Sequence, residues 1–117
     1  MTHSRPIKKI RFRCWAEVDG VKFFGPGRAD LLERIEKFGS IAKAAKAMRM
    51  SYKKAWVMVE EMNALARKPL VVPQKGGQYG GGTKLTNTGN EVVSAFKKLN
   101  NKIASIVKKE TTLLKIL

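Results

Sequence analysis

Hydrophobic positions along the chain change their spacing several times, and each change marks an element. Residues 10–18, IRFRCWAEV, alternate Ile10, Phe12, Cys14, Ala16 and Val18 against Arg11, Arg13, Trp15 and Glu17, the period of a strand with one covered face. Asp19-Gly20 is a strong hairpin turn and VKFF is the returning strand, so a β-hairpin with Arg11 and Arg13 on a cationic face is predicted first. Gly25-Pro26-Gly27 stops that strand. From Arg28 the period becomes helical: Leu31, Leu32, Ile35 and Phe38 form one stripe, and Gly39 ends it. Ser40 caps a second helix to about Met48, with Ile41, Ala44, Ala45 and Met48 facing inward. Ser51 caps a third, to about Leu65, whose apolar set includes Ala55, Val59 and Met62.

PLVVPQ, residues 69–74, reads as a short strand, KGGQYGGGT (75–83) as a glycine-heavy tip, and KLT as the strand returning from it. Thr86 or Thr88 caps a last helix, in which Val92, Phe96, Leu99, Ile103 and Ile106 repeat at alternating four and three. Its opposite face carries Lys97, Lys98, Lys102 and Lys109, and the final TTLLKIL is apolar enough to be expected to pack. No internal repeat, linker or second domain is visible. The expected organisation is one α+β domain over residues 1–117, with a hairpin arm at 1–26 and an end helix at 86–117.

Charge narrows the function. The 117 residues hold 24 Lys plus Arg against 9 Asp plus Glu, a formal net charge of +15. Such a chain concentrates near polyanions, so nucleic acid or another anionic surface is the expected partner. GSIAKAAKAMRMSYKKAW, residues 39–56, then has the form of a helix-turn-helix: a tight connection, small alanines where the two helices meet, and Met50 to plug the junction. Ser40 and Ser51 are followed three residues later by Lys43 and Lys54 instead of the acid of a capping box. Lysine there opposes the helix dipole by about 0.3–1 kcal/mol, a placement that makes sense if a phosphate sits at the helix N-terminus. The hairpin after the third helix is then a wing, with Lys75, Tyr79 and Lys84 on or beside its tip. Ordinary packing of three small helices with a solvated lysine face is the plainer alternative.

Other chemistries find no support. GGQYGGGTK lacks the lysine-then-hydroxyl order of a phosphate-gripping P-loop and does not lead into a helix at the required place. Glu60 and Glu61 are adjacent and so point from different helix faces, balancing the basic surface better than they would act as a pair. One histidine, His3, and one cysteine, Cys14, provide neither a thiol dyad nor a zinc site within one chain. A single cysteine agrees with a reducing compartment, and no stretch approaches the ~20 apolar residues of a membrane span. The sequence is read as that of a cytoplasmic, non-enzymatic protein without a cofactor.

SYKKAWVMVEEMN, then PLV, then KGGQYGGGTKLTNTG, resemble the N-terminal DNA-binding domain of the ModE molybdate-responsive regulators, a winged-helix family close to the LysR-type regulators. The resemblance covers about residues 21–107, and its glycine-rich wing followed by LT-x-x-G, here Leu85, Thr86 and Gly89, is its most specific part. It implies a winged helix-turn-helix with Ser51, Tyr52, Lys53, Lys54 and Trp56 on the recognition helix, Trp56 partly in the core. Gln78 and Tyr79 stand where a plainer lysine and glycine run is familiar. Full-length relatives add C-terminal oxyanion-binding domains, whereas this sequence ends at Leu117, so molybdate is not expected to bind it.

The resulting expectation is a sequence-specific regulator of transcription on double-stranded DNA. Ser51, Tyr52, Lys53 and Lys54 would lie at the bases, and Lys43, Lys75 and Lys84 on phosphates. It would act as a homodimer through Val92, Phe96, Leu99, Ile103 and Ile106 and the N-terminal segment, its recognition helices ~34–36 Å apart. The alternatives are a non-specific nucleic-acid-coating protein and, more weakly, a protein-interaction module built on the end helix.

Overall fold

The computed structural model describes residues 5–75 and 82–117. The elements run β1 (Ala16–Val18), β2 (Val21–Phe24), α1 (Pro26–Phe38), α2 (Ile41–Ala47), α3 (Tyr52–Leu65), β3 (Val71–Gln74), β4 (Gly82–Leu85), α4 (Asn87–Lys109) and α5 (Thr112–Ile116). Each strand pair is a separate antiparallel two-stranded sheet. This is an α+β winged helix-turn-helix, with an N-terminal hairpin and a long C-terminal helix.

Local chemistry sets the boundaries. Pro26 sits in the first turn of α1, where its missing N–H would have no intrahelical partner anyway. Gly39 ends that helix in the left-handed region, φ 67°, its N–H donating to the Ile35 carbonyl. Thr86 caps α4: its Oγ1 accepts from the Gly89 N–H at 3.0 Å and donates to the Pro69 carbonyl at 2.7 Å. The same cap therefore ties α4 to the segment leading into β3.

One core joins these pieces. Leu31, Leu32 and Ile35 of α1, Ala44 of α2, Ala55 and Met62 of α3, and Leu70 ahead of β3 are fully buried, each larger side chain contributing about 1.5–3 kcal/mol by leaving water. Phe24 from the hairpin meets Phe96 of α4 edge to face, ring centroids 5.2 Å apart. At Gly89 any Cβ would overlap the Leu70 carbonyl, so α4 reaches β3 through bare backbone.

The structure departs from the sequence pattern at both ends. Of the strand expected over 10–18, only Ala16–Val18 pairs. β2 is four residues long before the chain turns into α1 at Pro26, which leaves 10–15 with no strand beside them in this sheet. The alternation nevertheless survives as exposure: Ile10, Phe12 and Cys14 are half-buried while Arg11 and Arg13 are exposed. An irregularity between Ala16 and Glu17 breaks the register, and Ala16, expected inside, is exposed.

At the other end α4 outruns the core. Val93 and Phe96 are buried, but Leu99 is 47% and Ile106 70% exposed. The Cα radius of gyration is 18.4 Å, against about 13 Å for a compact domain of this length. The terminal TTLLKIL forms α5 but leaves Leu113, Ile116 and Leu117 exposed. Residues 5–15 accompany this end: Cys14 Sγ lies 3.5 Å from Asn100 Oδ1 of α4, and Lys8 Nζ donates to the Leu117 carbonyl.

Candidate nucleic-acid interface

Helices α2 and α3 meet through methyl groups. Ala44, Ala45 and Ala55 are essentially inaccessible, and half-buried Met50 packs against the core beside them. The turn closes when the Met50 N–H donates to the Ala45 carbonyl at 3.0 Å, with Arg49 in the left-handed region at φ 56°, where a non-glycine residue is uncommon.

Both serines cap as the sequence implies. The Lys43 N–H donates to Ser40 Oγ at 3.2 Å and the Lys54 N–H to Ser51 Oγ at 3.1 Å. Neither first turn contains an acid, so the partial positive charge of each helix start is reinforced and not offset. Ser51, Tyr52, Lys53 and Lys54 are all exposed, as is Lys43. Tyr52 lines a groove of about 280 Å³ together with Ser40 and Ala42 of α2 and Gly82 and Thr83 of β4. The starts of both helices and the wing root thus adjoin.

The wing is fixed firmly at its root. Asn63 of α3 accepts from the Leu70 N–H at 2.8 Å and donates to the Val71 carbonyl at 3.0 Å. On the other strand, the Thr83 N–H donates to the Gly39 carbonyl at 2.9 Å and the Leu85 N–H to Glu36 Oε2 at 3.1 Å. A Cβ at Gly82 would overlap that Gly39 carbonyl. Lys84, paired across the sheet with Val72, and Lys75, just past β3, are exposed. Tyr79 and the glycine tip expected around it lie outside the described residues.

Trp56 corrects an expectation: it is 45% exposed and not part of the core. It lies one turn after Tyr52, on the flank of α3 that adjoins the wing, whereas the buried set is Ala55, Val59 and Met62. Its ring helps line a groove of about 250 Å³ with Tyr52, Val72 and Pro73.

Sequence reasoning missed two further residues. Arg28 is 9% exposed; its Nη1 donates to the Phe23 carbonyl at 3.1 Å and its Nη2 pairs with Glu61 at 3.2 Å. It joins the hairpin to the flank of α3, and nothing in a helix-period pattern marks a basic residue as buried. Lys22, exposed on β2, lines a groove of about 640 Å³ with Lys53, Lys54, Val57 and Met58 of α3. Only its position on the polar face of a strand hinted at this.

Of the residues expected at a dimer interface, Phe96 is taken up by the chain's own core and Val92 is half-buried against it. Leu99 and Ile106 are exposed and Ile103 half-buried. No cluster of three or more metal-ligating side chains occurs among the described residues, and no described helix is long and apolar enough to cross a membrane.

No family model matches the chain. Over 72 residues it is 50% identical to the molybdenum transport protein ModE of Azotobacter vinelandii, covering 62% of this chain and 27% of that protein. Over 77 residues it is 40% identical to the transcriptional regulator ModE of Haemophilus influenzae, covering 66% and 30%. The chain carries a ModE-like N-terminal domain. The DNA-binding transcriptional dual regulator ModE of Escherichia coli K12 is likewise 40% identical over 77 residues, 66% of this chain and 29% of that one. These ModE relatives from Haemophilus and Escherichia are transcriptional regulators. The ModE-like chain matches less than a third of the length of each. Its fold is that of a solved LysR family transcriptional regulator, with a TM-score of 0.51 and 18% identity over 67% of this chain and 25% of that one.

Proposed function

We propose that this chain is a sequence-specific, DNA-binding regulator of transcription that works as a homodimer in the cytoplasm. The observation that carries the reading is the exposed first turn of α3, Ser51 through Lys54, braced by alanine packing against α2 and by the Asn63-anchored wing. A rigid helix presenting its N-terminal side chains is what the major groove admits. Ser51, Tyr52, Lys53 and Lys54 would meet base edges, while Lys43, Lys75 and Lys84 would hold phosphates and Tyr79 would lie at the DNA-facing wing tip. The ModE and LysR-type regulators it resembles support DNA as the partner.

The dimer reading rests on Leu99, Ile103 and Ile106 along the projecting part of α4, where Leu99 and Ile106 remain substantially exposed. A second copy covering that stripe would pair two recognition helices across a two-fold axis. A molecular mass that stays monomeric at every concentration rules this out. Molybdate has no assigned role on these residues.

Selection of bound fragments from randomised duplexes at about 0.15 M salt tests the whole proposal, because non-specific binding is already weakened there. A two-fold symmetric motif with half-sites one helical turn apart supports it. Featureless recovery favours the alternative of a non-specific DNA-coating protein and removes the base-reading roles of Ser51 through Lys54.

A further inference from the structure

The net charge is not where the recognition helix is. Residues 5–15 and 97–117 together hold eleven Lys and Arg against a single acid, Glu110, whereas residues 16–96 hold thirteen against eight. Two-thirds of the +15 therefore belongs to the N-terminal segment and the end helices. In the body of the fold Arg28 pairs with Glu61 and Arg34 with Asp30, while Lys97, the first of the end-helix cations, pairs with Glu33 of α1. Residues 5–13 carry Arg5, Lys8, Lys9, Arg11 and Arg13 with no acid among them, a self-repelling arrangement that folding does not require.

This segment is joined to the recognition helix. The groove of about 640 Å³ between β2 and α3 has Lys53 and Lys54 on one wall and Lys22 on the other, with Glu61 also lining it but paired to Arg28. Lys22 Nζ lies 5.7 Å from the centre of the Trp15 ring, a cation–π contact that holds the ammonium beside the end of the arm. Arg13 and Arg11 continue from Trp15 at alternate, exposed positions. From the first turn of α3 the exposed cations thus follow in order through Lys22, beside Trp15, to Arg13 and Arg11.

We propose that Lys22, Arg13 and Arg11 form a second backbone-binding element, whose ligand is the phosphodiester chain of double-stranded DNA flanking the half-site. This rests on the reading that α3 faces DNA. A succession of cations leading from a recognition helix matches a backbone continuous with the groove it reads. The arm would add affinity and salt dependence without adding sequence preference.

The test uses the full chain and labelled duplexes carrying the selected half-sites, with and without about 10 flanking base pairs on each side. Wild type should bind the longer duplex with a salt slope steeper by about 3 per protomer, since each phosphate contact contributes about 0.9. The variant carrying Arg11→Gln, Arg13→Gln and Lys22→Gln should show one slope for both lengths, and Arg11→Lys, Arg13→Lys and Lys22→Arg together should restore the difference. An undiminished slope for the glutamine variant on the long duplex overturns the inference while leaving the recognition reading intact. Failure of wild type to bind either duplex removes both. Unchanged DNA slopes combined with lost binding to phosphatidylserine vesicles would assign the arm to an anionic lipid surface and overturn the DNA assignment.

Discussion

The two ends of the long helix α4 live in different worlds. Its first turns are built into the fold: Thr86 caps it against Pro69, Gly89 lies against the Leu70 backbone, and Phe96 meets Phe24. Beyond Phe96 the same apolar spacing continues, yet Ile106 is 70% exposed and the surrounding charge is almost entirely positive. One repeat is thus buried at one end and exposed at the other. A hydrophobic period shows that a stripe is to be covered, but not whether the cover comes from the same chain.

Substitutions along that stripe should separate the two roles most sharply. Phe96→Ala should lower unfolding free energy by about 3–5 kcal/mol, the usual cost of emptying a buried aromatic site. Ile106→Ala should change the stability of the isolated monomer by less than about 0.5 kcal/mol and instead raise the protein concentration at which dimers form. Denaturant melts at low concentration together with sedimentation would read both effects. Equal destabilisation by the two substitutions would erase the division.

The buried end can be probed through backbone contacts as well. Gly89→Ala forces a Cβ into the Leu70 carbonyl and should cost about 1–3 kcal/mol, typical of overpacking. Gly27→Ala, where the added atom meets open space in the first turn of α1, should stabilise by about 0.4–1 kcal/mol by restricting the unfolded chain. Thermal melts of the pair test whether the contact, and not glycine itself, matters at the α4 end.

Much of the body of the fold was legible because its signals are local. Serine caps, Gly39 and the Ala44–Ala45 pair each act within a turn or two of their own position, and Leu85, Thr86 and Gly89 turn out to be a buried side chain, a cap and a close backbone approach in one short run. What could not be read depended on partners distant in sequence. Arg28 is buried because the carbonyls of β2 and Glu61 of α3 converge on it. Trp56 is exposed because a groove separates its flank of α3 from the described wing residues Val72 and Pro73. The alternation of residues 10–15 predicts which side chains are covered, but not that α4 and not a strand accompanies them.

Capping extends the comparison from packing to charge. Ser51→Ala removes the acceptor for the Lys54 N–H and should cost about 1 kcal/mol, visible in a thermal melt.

The smallest stability effect should come with a large functional one. Lys54 stands in the first turn of α3, where a cation meets the positive end of the helix dipole. Lys54→Glu replaces that repulsion with attraction and completes a capping box with Ser51, so the folded protein should gain about 0.3–1 kcal/mol at low salt. Affinity for duplex DNA should fall at the same time, because the site loses a cation and acquires a carboxylate that repels phosphate. Lys102→Glu, on the exposed C-terminal part of α4, changes charge by the same amount far from a helix start and should show no comparable gain in stability. A melt and a DNA titration on the two variants separate a residue kept for binding at the expense of the helix from one that merely carries charge. If Lys54→Glu binds DNA as tightly as wild type, the first turn of α3 does not face the duplex.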